Sequence, residues 1–138
     1  MVGVMPSALR AILAPLGAAA LLTGCGGNPD PVTDRDATLQ LRLDEYRIVP
    51  GAIKVRAGRI RIVARNRGGL THNVKVEEAV YEEGDNPIVY GGTETMQPGE
   101  TAPGVTVRLF PGKYRLICTI GNHENLGQYA LLEVTRAG

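Results

Sequence analysis

The stretch Cys118-Thr119-Ile120-Gly121-Asn122-His123-Glu124-Asn125-Leu126-Gly127-Gln128 puts a thiol, an imidazole and a side-chain amide on one loop's length of chain. A second imidazole, His72, sits far upstream in Thr71-His72-Asn73-Val74, and the sequence holds only these two histidines. A thiolate is a soft donor, an imidazole a borderline one and an amide oxygen a weak, hard one. One thiolate, two imidazoles and one weak fourth contact form the ligand set of a copper site built for one-electron transfer. Taken singly, an inward histidine or a lone cysteine is ordinary core material; it is their combination and spacing that point to a metal. A Cys–His nucleophile would need a cleft and a thiol beside a helix or base, which a strand–loop context does not offer. A structural zinc site would want more thiolates or histidines than this chain has. Both histidines are used by a single site, so none is left for a second copper centre and no enzymatic activity is expected.

Elements with a period of two must position these donors. Leu39, Leu41 and Leu43 alternate with Gln40 and Arg42, and Ile53 and Val55 follow Pro50-Gly51. Ile60, Ile62 and Ala64 alternate with arginines until Asn66-Arg67-Gly68-Gly69 breaks the run. His72, Val74 and Val76 share one face; Val105, Val107 and Leu109 another; Tyr114, Leu116 and Cys118 a third; Ala130, Leu132 and Val134 the last. About seven short strands separated by turn signals predict an all-β sandwich of two packed antiparallel sheets. The parity places His72 and Cys118 both inward at strand ends, where they can meet at one pole, with His123 and Gln128 delivered by the loop after Cys118. The stretch from Ala79 to Thr101 is too long for a regular turn and reads as an excursion with a short strand at Ile88-Val89-Tyr90.

Residues 1–24 are read as a targeting segment. Arg10 is their only charge, and it precedes an apolar run from Ala11 to Leu22 that is too short to span a bilayer as a helix. The run ends in Leu22-Thr23-Gly24-Cys25, which resembles a bacterial lipobox, so Cys25 is expected to carry a lipid and anchor the protein outside the cytoplasm on the bacterial cell membrane. Cys118 is then the only thiol of the mature chain, and an unprotected thiol in an exported protein invites oxidation unless a metal holds it. Residues 25–37 are rich in Gly, Pro and Asp and read as a flexible tether; the twelve after Cys25 reach about 40 Å at most. Residues 38–138 form the domain. Beyond Arg10, 14 basic residues balance 14 acidic ones, and with no Trp and one Phe there is no basic, aromatic surface of the kind that binds nucleic acid.

The motifs resemble those of the cupredoxins, the small blue-copper proteins. They are Met96-Gln97-Pro98-Gly99-Glu100-Thr101, Phe110-Pro111-Gly112-Lys113-Tyr114-Arg115-Leu116-Ile117-Cys118, Gly121-Asn122-His123, Leu126-Gly127-Gln128-Tyr129 and, upstream, His72-Asn73-Val74. The resemblance runs from about Thr38 to Thr135. It implies a Greek-key β-sandwich of seven to eight strands with one copper ion near one end. It implies that His72, Cys118 and His123 are the equatorial ligands, and that Asn73 ties the first-histidine strand to the cysteine loop at Thr119. Where the family usually has an axial Met, the Cys-x4-His-x4 spacing lands here on Gln128, as in the longer-loop rusticyanin-like and sulfocyanin-like branch, and Gln serves as axial ligand in the stellacyanin-like group. The shorter spacing would land on Gly127, which has no donor. Glu124 and Met96 are the weaker candidates for a fourth contact.

The resulting expectation is a monomeric, membrane-anchored carrier that cycles Cu(II) and Cu(I) and meets a redox partner protein at the membrane surface. Its electrons would pass through the edge of His123, within an apolar skin of Ile120, Leu126 and Pro103. The alternative is an extracytoplasmic copper-binding or delivery protein; the single methionine after Cys25, Met96, disfavours it, since delivery proteins often use Met- or His-rich ligand sets.

Overall fold

The computed structural model describes residues 32–34, 38–80, 82 and 84–136. Residues 1–24, read as a targeting segment, and Cys25 lie outside them. The described residues form ten strands: β1 (Val32–Asp34), β2 (Thr38–Asp44), β3 (Arg47–Val49), β4 (Ala52–Arg56), β5 (Gly58–Asn66), β6 (Lys75–Glu78), β7 (Val89–Gly92), β8 (Val105–Leu109), β9 (Gly112–Ile117) and β10 (Tyr129–Thr135). They make a six-stranded sheet in the order β1-β4-β10-β9-β6-β7 and a four-stranded sheet in the order β3-β2-β5-β8. No helix among the described residues is long and apolar enough to cross a membrane.

Six of the seven runs of alternating residues fall on strands, with Cys118 one residue past its own; of the His72, Val74 and Val76 run only Val76 lies in a strand, β6, and His72 makes an isolated bridge to Met96. The fold class is the all-β sandwich that the alternation requires. Three features depart from the expectation. Ten strands replace seven or eight, because the three-residue β1 and β3 are too short to show a period; edge strand β7 falls at the short strand expected around Ile88-Val89-Tyr90. Both sheets are mixed rather than antiparallel: β2 runs parallel to β5, and β4 runs parallel to both β10 and β1. Alternation reports which face of a strand is buried and carries no information on a neighbour's direction. Finally, Val32–Asp34 pairs with β4 within the stretch expected to be tether.

The core fills the space between the inner faces. Leu39, Leu41, Leu43, Ile60, Ile62 and Ala64 come from the smaller sheet, and Ile53, Val55, Leu116, Ala130, Leu132 and Val134 from the larger. Each such branched or long side chain taken out of water contributes roughly 1.5–3 kcal/mol. At one sandwich edge β7 closes over β8. Gly91, at φ +142°, permits the approach, since a Cβ there would lie 2.9 Å from Val107 Cγ1. Tyr114 donates its hydroxyl to the Phe110 carbonyl at 2.9 Å and meets Tyr90 edge-on at 5.2 Å, fixing the β8–β9 turn.

Leu131 and Leu132 are neighbours on β10 that face opposite ways: Leu132 is 1% exposed and Leu131 53%. Leu132→Ala is expected to cost about 2–5 kcal/mol by transfer and cavity terms together. Leu131→Ala should stay within about 0.5 kcal/mol of the parent in the same urea titration.

Candidate metal centre

The His72 segment is held from behind. Its N–H donates to the Met96 carbonyl at 3.1 Å, and its own carbonyl accepts from the Met96 N–H at 2.7 Å. Buried Asn66 secures the preceding turn: its amide donates to the carbonyls of Leu70 at 2.7 Å and Met96 at 3.1 Å, and its oxygen accepts from the Gly68 N–H at 2.9 Å. The long excursion thus has a role. Its first half makes edge strand β7, and its return leg through Met96 pins the backbone of His72. Met96 itself is buried.

Cys118 stands one residue past β9, 1% exposed, with its N–H donating to the Gln128 carbonyl at 3.1 Å. That bond closes the loop between them. Inside it, Gly127 N–H donates to the Glu124 carbonyl at 2.9 Å and Gln128 N–H to the His123 carbonyl at 3.0 Å, with Gly127 at φ +109°. This pair of bonds around a positive-φ glycine is the Schellman closure, which leaves the residue after the glycine over the one five positions earlier. Here those two residues are Gln128 and His123. Gly127 is therefore the bend that brings the Gln128 backbone back to Cys118.

The structure brings His72, Cys118 and His123 together: one ligand atom of each lies within 4.8 Å of the others. Cys118 Sγ is 3.9 Å from His72 Nδ1 and 3.7 Å from His123 Nδ1. An ion bonded to one sulfur at about 2.3 Å and one nitrogen at about 2.0 Å in a trigonal plane needs those donors about 3.8 Å apart. His72 is fully buried and His123 is partly exposed. Asn73 donates to Thr119 Oγ1 at 2.9 Å and accepts from the Thr119 N–H at 2.9 Å, so the residues that follow two of the three donors are bonded to each other.

Gln128 is fully buried. Its Nε2 donates to the Asp44 carbonyl at 2.8 Å, while its Oε1 is the one buried side-chain polar atom without a hydrogen-bond partner among the described residues. An orphaned amide oxygen costs about 1–3 kcal/mol, and a cation is the kind of partner that would satisfy it. Glu124 turns to Arg115, which also bonds Glu77 at 3.2 Å and lies over the Tyr129 ring at 5.4 Å. Burial raises the Glu77 carboxyl above its ordinary pKa, and Arg115 opposes the rise.

The β2–β3 turn is the part of the site that sequence reasoning missed. Asp44 receives the Gln128 amide, Glu45 Oε1 meets His72 Nε2 at 3.0 Å, and the Tyr46 ring lies 5.0 Å from the His123 ring. Three consecutive residues touch three of the four expected ligands. The Leu70 N–H, which Glu45 also accepts at 2.8 Å, and then His72 hold the Glu45 carboxyl below its ordinary pKa. Nothing local in Asp44-Glu45-Tyr46 signals this; only the pairing of β2 with β5, which brings Leu43 opposite Asn66, carries the turn to the His72 loop.

No protein-family model matches the sequence, and no curated protein matches it either. Solved structures do match. A dithionite-reduced auracyanin from the photosynthetic bacterium Roseiflexus castenholzii is similar with a TM-score of 0.63 at 18% identity, over 74% of this chain and 99% of that one. Auracyanin A of Chloroflexus aurantiacus, a "blue" copper protein from a green thermophilic photosynthetic bacterium, gives 0.60 at 18% identity over 71% and 98%. A rusticyanin mutant with glutamine in place of a methionine gives 0.59 at 17% identity over 79% and 85%. Likeness of this extent at such low identity is likeness of fold: the chain folds as a cupredoxin.

Proposed function

We propose that this protein is a blue-copper electron carrier, lipid-anchored at Cys25 on the outer side of the bacterial cell membrane. The convergence of His72, Cys118 and His123 within 4.8 Å carries the reading. Copper, when bound, supplies a one-electron couple between Cu(II) and Cu(I). His72, Cys118 and His123 would hold it, and Gln128 Oε1 would make the weaker axial contact. The orphaned Oε1 supports that role. The Asn73–Thr119 bonds and the closed ligand loop resist movement of the donors as the metal's charge changes, which keeps the reorganisation that electron transfer requires small. His123, the partly exposed ligand, is the exit toward a partner, and Leu126, three residues on and 50% exposed, offers apolar contact beside it. The near-complete burial of Cys118 and His72 suits a resident ion rather than one handed on.

An absorption spectrum of the copper-loaded domain tests the reading. An intense thiolate-to-Cu(II) band toward the red supports it; a colourless Cu(II) complex, or loading with zinc alone, refutes it. Cys118→Ser should abolish the band and most of the copper affinity, because a hydroxyl cannot replace a thiolate on copper.

An amide oxygen favours Cu(II) over Cu(I) relative to a thioether. Gln128→Met is therefore expected to raise the reduction potential by about 60 mV or more, a tenfold change in preference for one electron. An unchanged or lower potential removes Gln128 from the coordination sphere.

The anchor is tested separately. The full-length chain grown with labelled palmitate should take up label, and Cys25→Ser should lose both the label and membrane association.

A further inference from the structure

The carboxylate at the tip of the β2–β3 turn has an unusually complete seat for a residue so far from His72 in sequence. Glu45 Oε1 accepts the Leu70 N–H at 2.8 Å and faces His72 Nε2 at 3.0 Å. The Leu70 peptide is itself held, since its carbonyl accepts from Asn66 at 2.7 Å. The third wall is Gly68, where a Cβ would strike the Glu45 carboxylate. Asn66, Gly68 and Leu70 thus form a cradle that fits one carboxylate and aims it at one imidazole nitrogen. A hairpin tip does not require such a seat; an acidic residue there would be equally well placed in water.

We infer that Glu45 is a positioning residue for the copper ligand His72, fixing which ring nitrogen faces the metal and biasing the ion toward Cu(II). The inference rests on the copper reading above. An ionised carboxylate can only accept hydrogen bonds. The hydrogen in the Glu45–His72 contact therefore belongs to Nε2, and the lone pair is left on Nδ1. Nδ1 is the nitrogen that lies 3.9 Å from Cys118 Sγ. A carboxylate on the far nitrogen also makes the imidazole a stronger donor. It adds a negative charge one ring away from the ion, beside a histidine with no exposed surface. With Cys118 as thiolate and Glu45 ionised, the local charge is zero with Cu(II) and −1 with Cu(I), so the carboxylate, though partly screened by water on its exposed side, penalises the reduced state.

Glu45→Gln keeps the shape and an acceptor oxygen while removing the charge; Glu45→Ala removes both. The expected result for Glu45→Gln is a retained thiolate band and a tenfold or greater shift of preference toward Cu(I), read as a rise in potential of 59 mV or more. Zinc titrations of the metal-free protein should show affinity falling about tenfold for Glu45→Gln and further for Glu45→Ala. Nitrogen-15 spectra of metal-free His72 at pH 8 should show the Nε2–H tautomer in the parent and a mixture in Glu45→Ala. If Glu45→Gln leaves potential and zinc affinity within twofold of the parent, or if both variants lower stability alone, the inference is overturned. A parent protein without the blue band would refute the copper reading instead, and the zinc and tautomer measurements would still judge Glu45.

Discussion

Three hydrogen bonds between Asn73 and Thr119 join segments 46 residues apart, each bond linking the residue that follows one expected ligand to the residue that follows another. Everything else at the pole is arranged around that clamp. A copper site of the kind proposed above must hold two oxidation states without letting its ligands relax to suit each, and backbone packing alone locates a side chain only as well as its rotamer is fixed. Bonding the adjacent residues to one another sets both chain directions at once. Met96 then fixes His72 from the far side, and the loop closure at Gly127 fixes His123 and Gln128 relative to Cys118. A donor set that three independent strand ends would present with slack becomes one unit.

The charges around the loop extend this logic outward. Arg115 on β9 reaches buried Glu77 on β6 and Glu124 on the ligand loop, so the loop residue beside His123 is tied to the sheet that carries Cys118. A buried carboxylate with one guanidinium partner adds little net stability, since desolvation offsets much of the attraction. Its effect here is directional: Glu124 is turned to the sheet, and the pole is left to soft and neutral donors.

Much of this was legible from residue order, for a physical reason. Alternation assigned His72 a face with Val74 and Val76, and Cys118 one with Tyr114 and Leu116, and all of these are buried, although His72 and Val74 precede β6 and Asn73 between them is buried too. Spacing singled out Gln128, and the loop does return its backbone to Cys118, whose N–H it accepts. What parity does not encode is neighbour identity. The parallel pairing of β2 with β5 could not be read from alternation, and with it went the arrival of Asp44, Glu45 and Tyr46 at the ligands. Short edge strands such as β3 were hidden because Arg47-Ile48-Val49 has no room for a period. Gly127 was read only as a position lacking a donor; its positive φ is what turns the chain so that the next residue has one to offer.

The place of β10 in the larger sheet has a consequence for assembly. It lies between β4 and β9, parallel to one and antiparallel to the other, and it is the strand that follows the ligand loop. All three strong donors precede it in the chain, yet the loop that bears His123 is tethered at its far end only once β10 has docked. A growing chain therefore presents its thiol and imidazoles before it can hold them in register, and the pairing that completes the frame is long-range and slow to form. On the copper reading proposed above, metal capture falls late, after the sandwich has closed, and the Cys118 thiol is most open to oxidation before β10 docks.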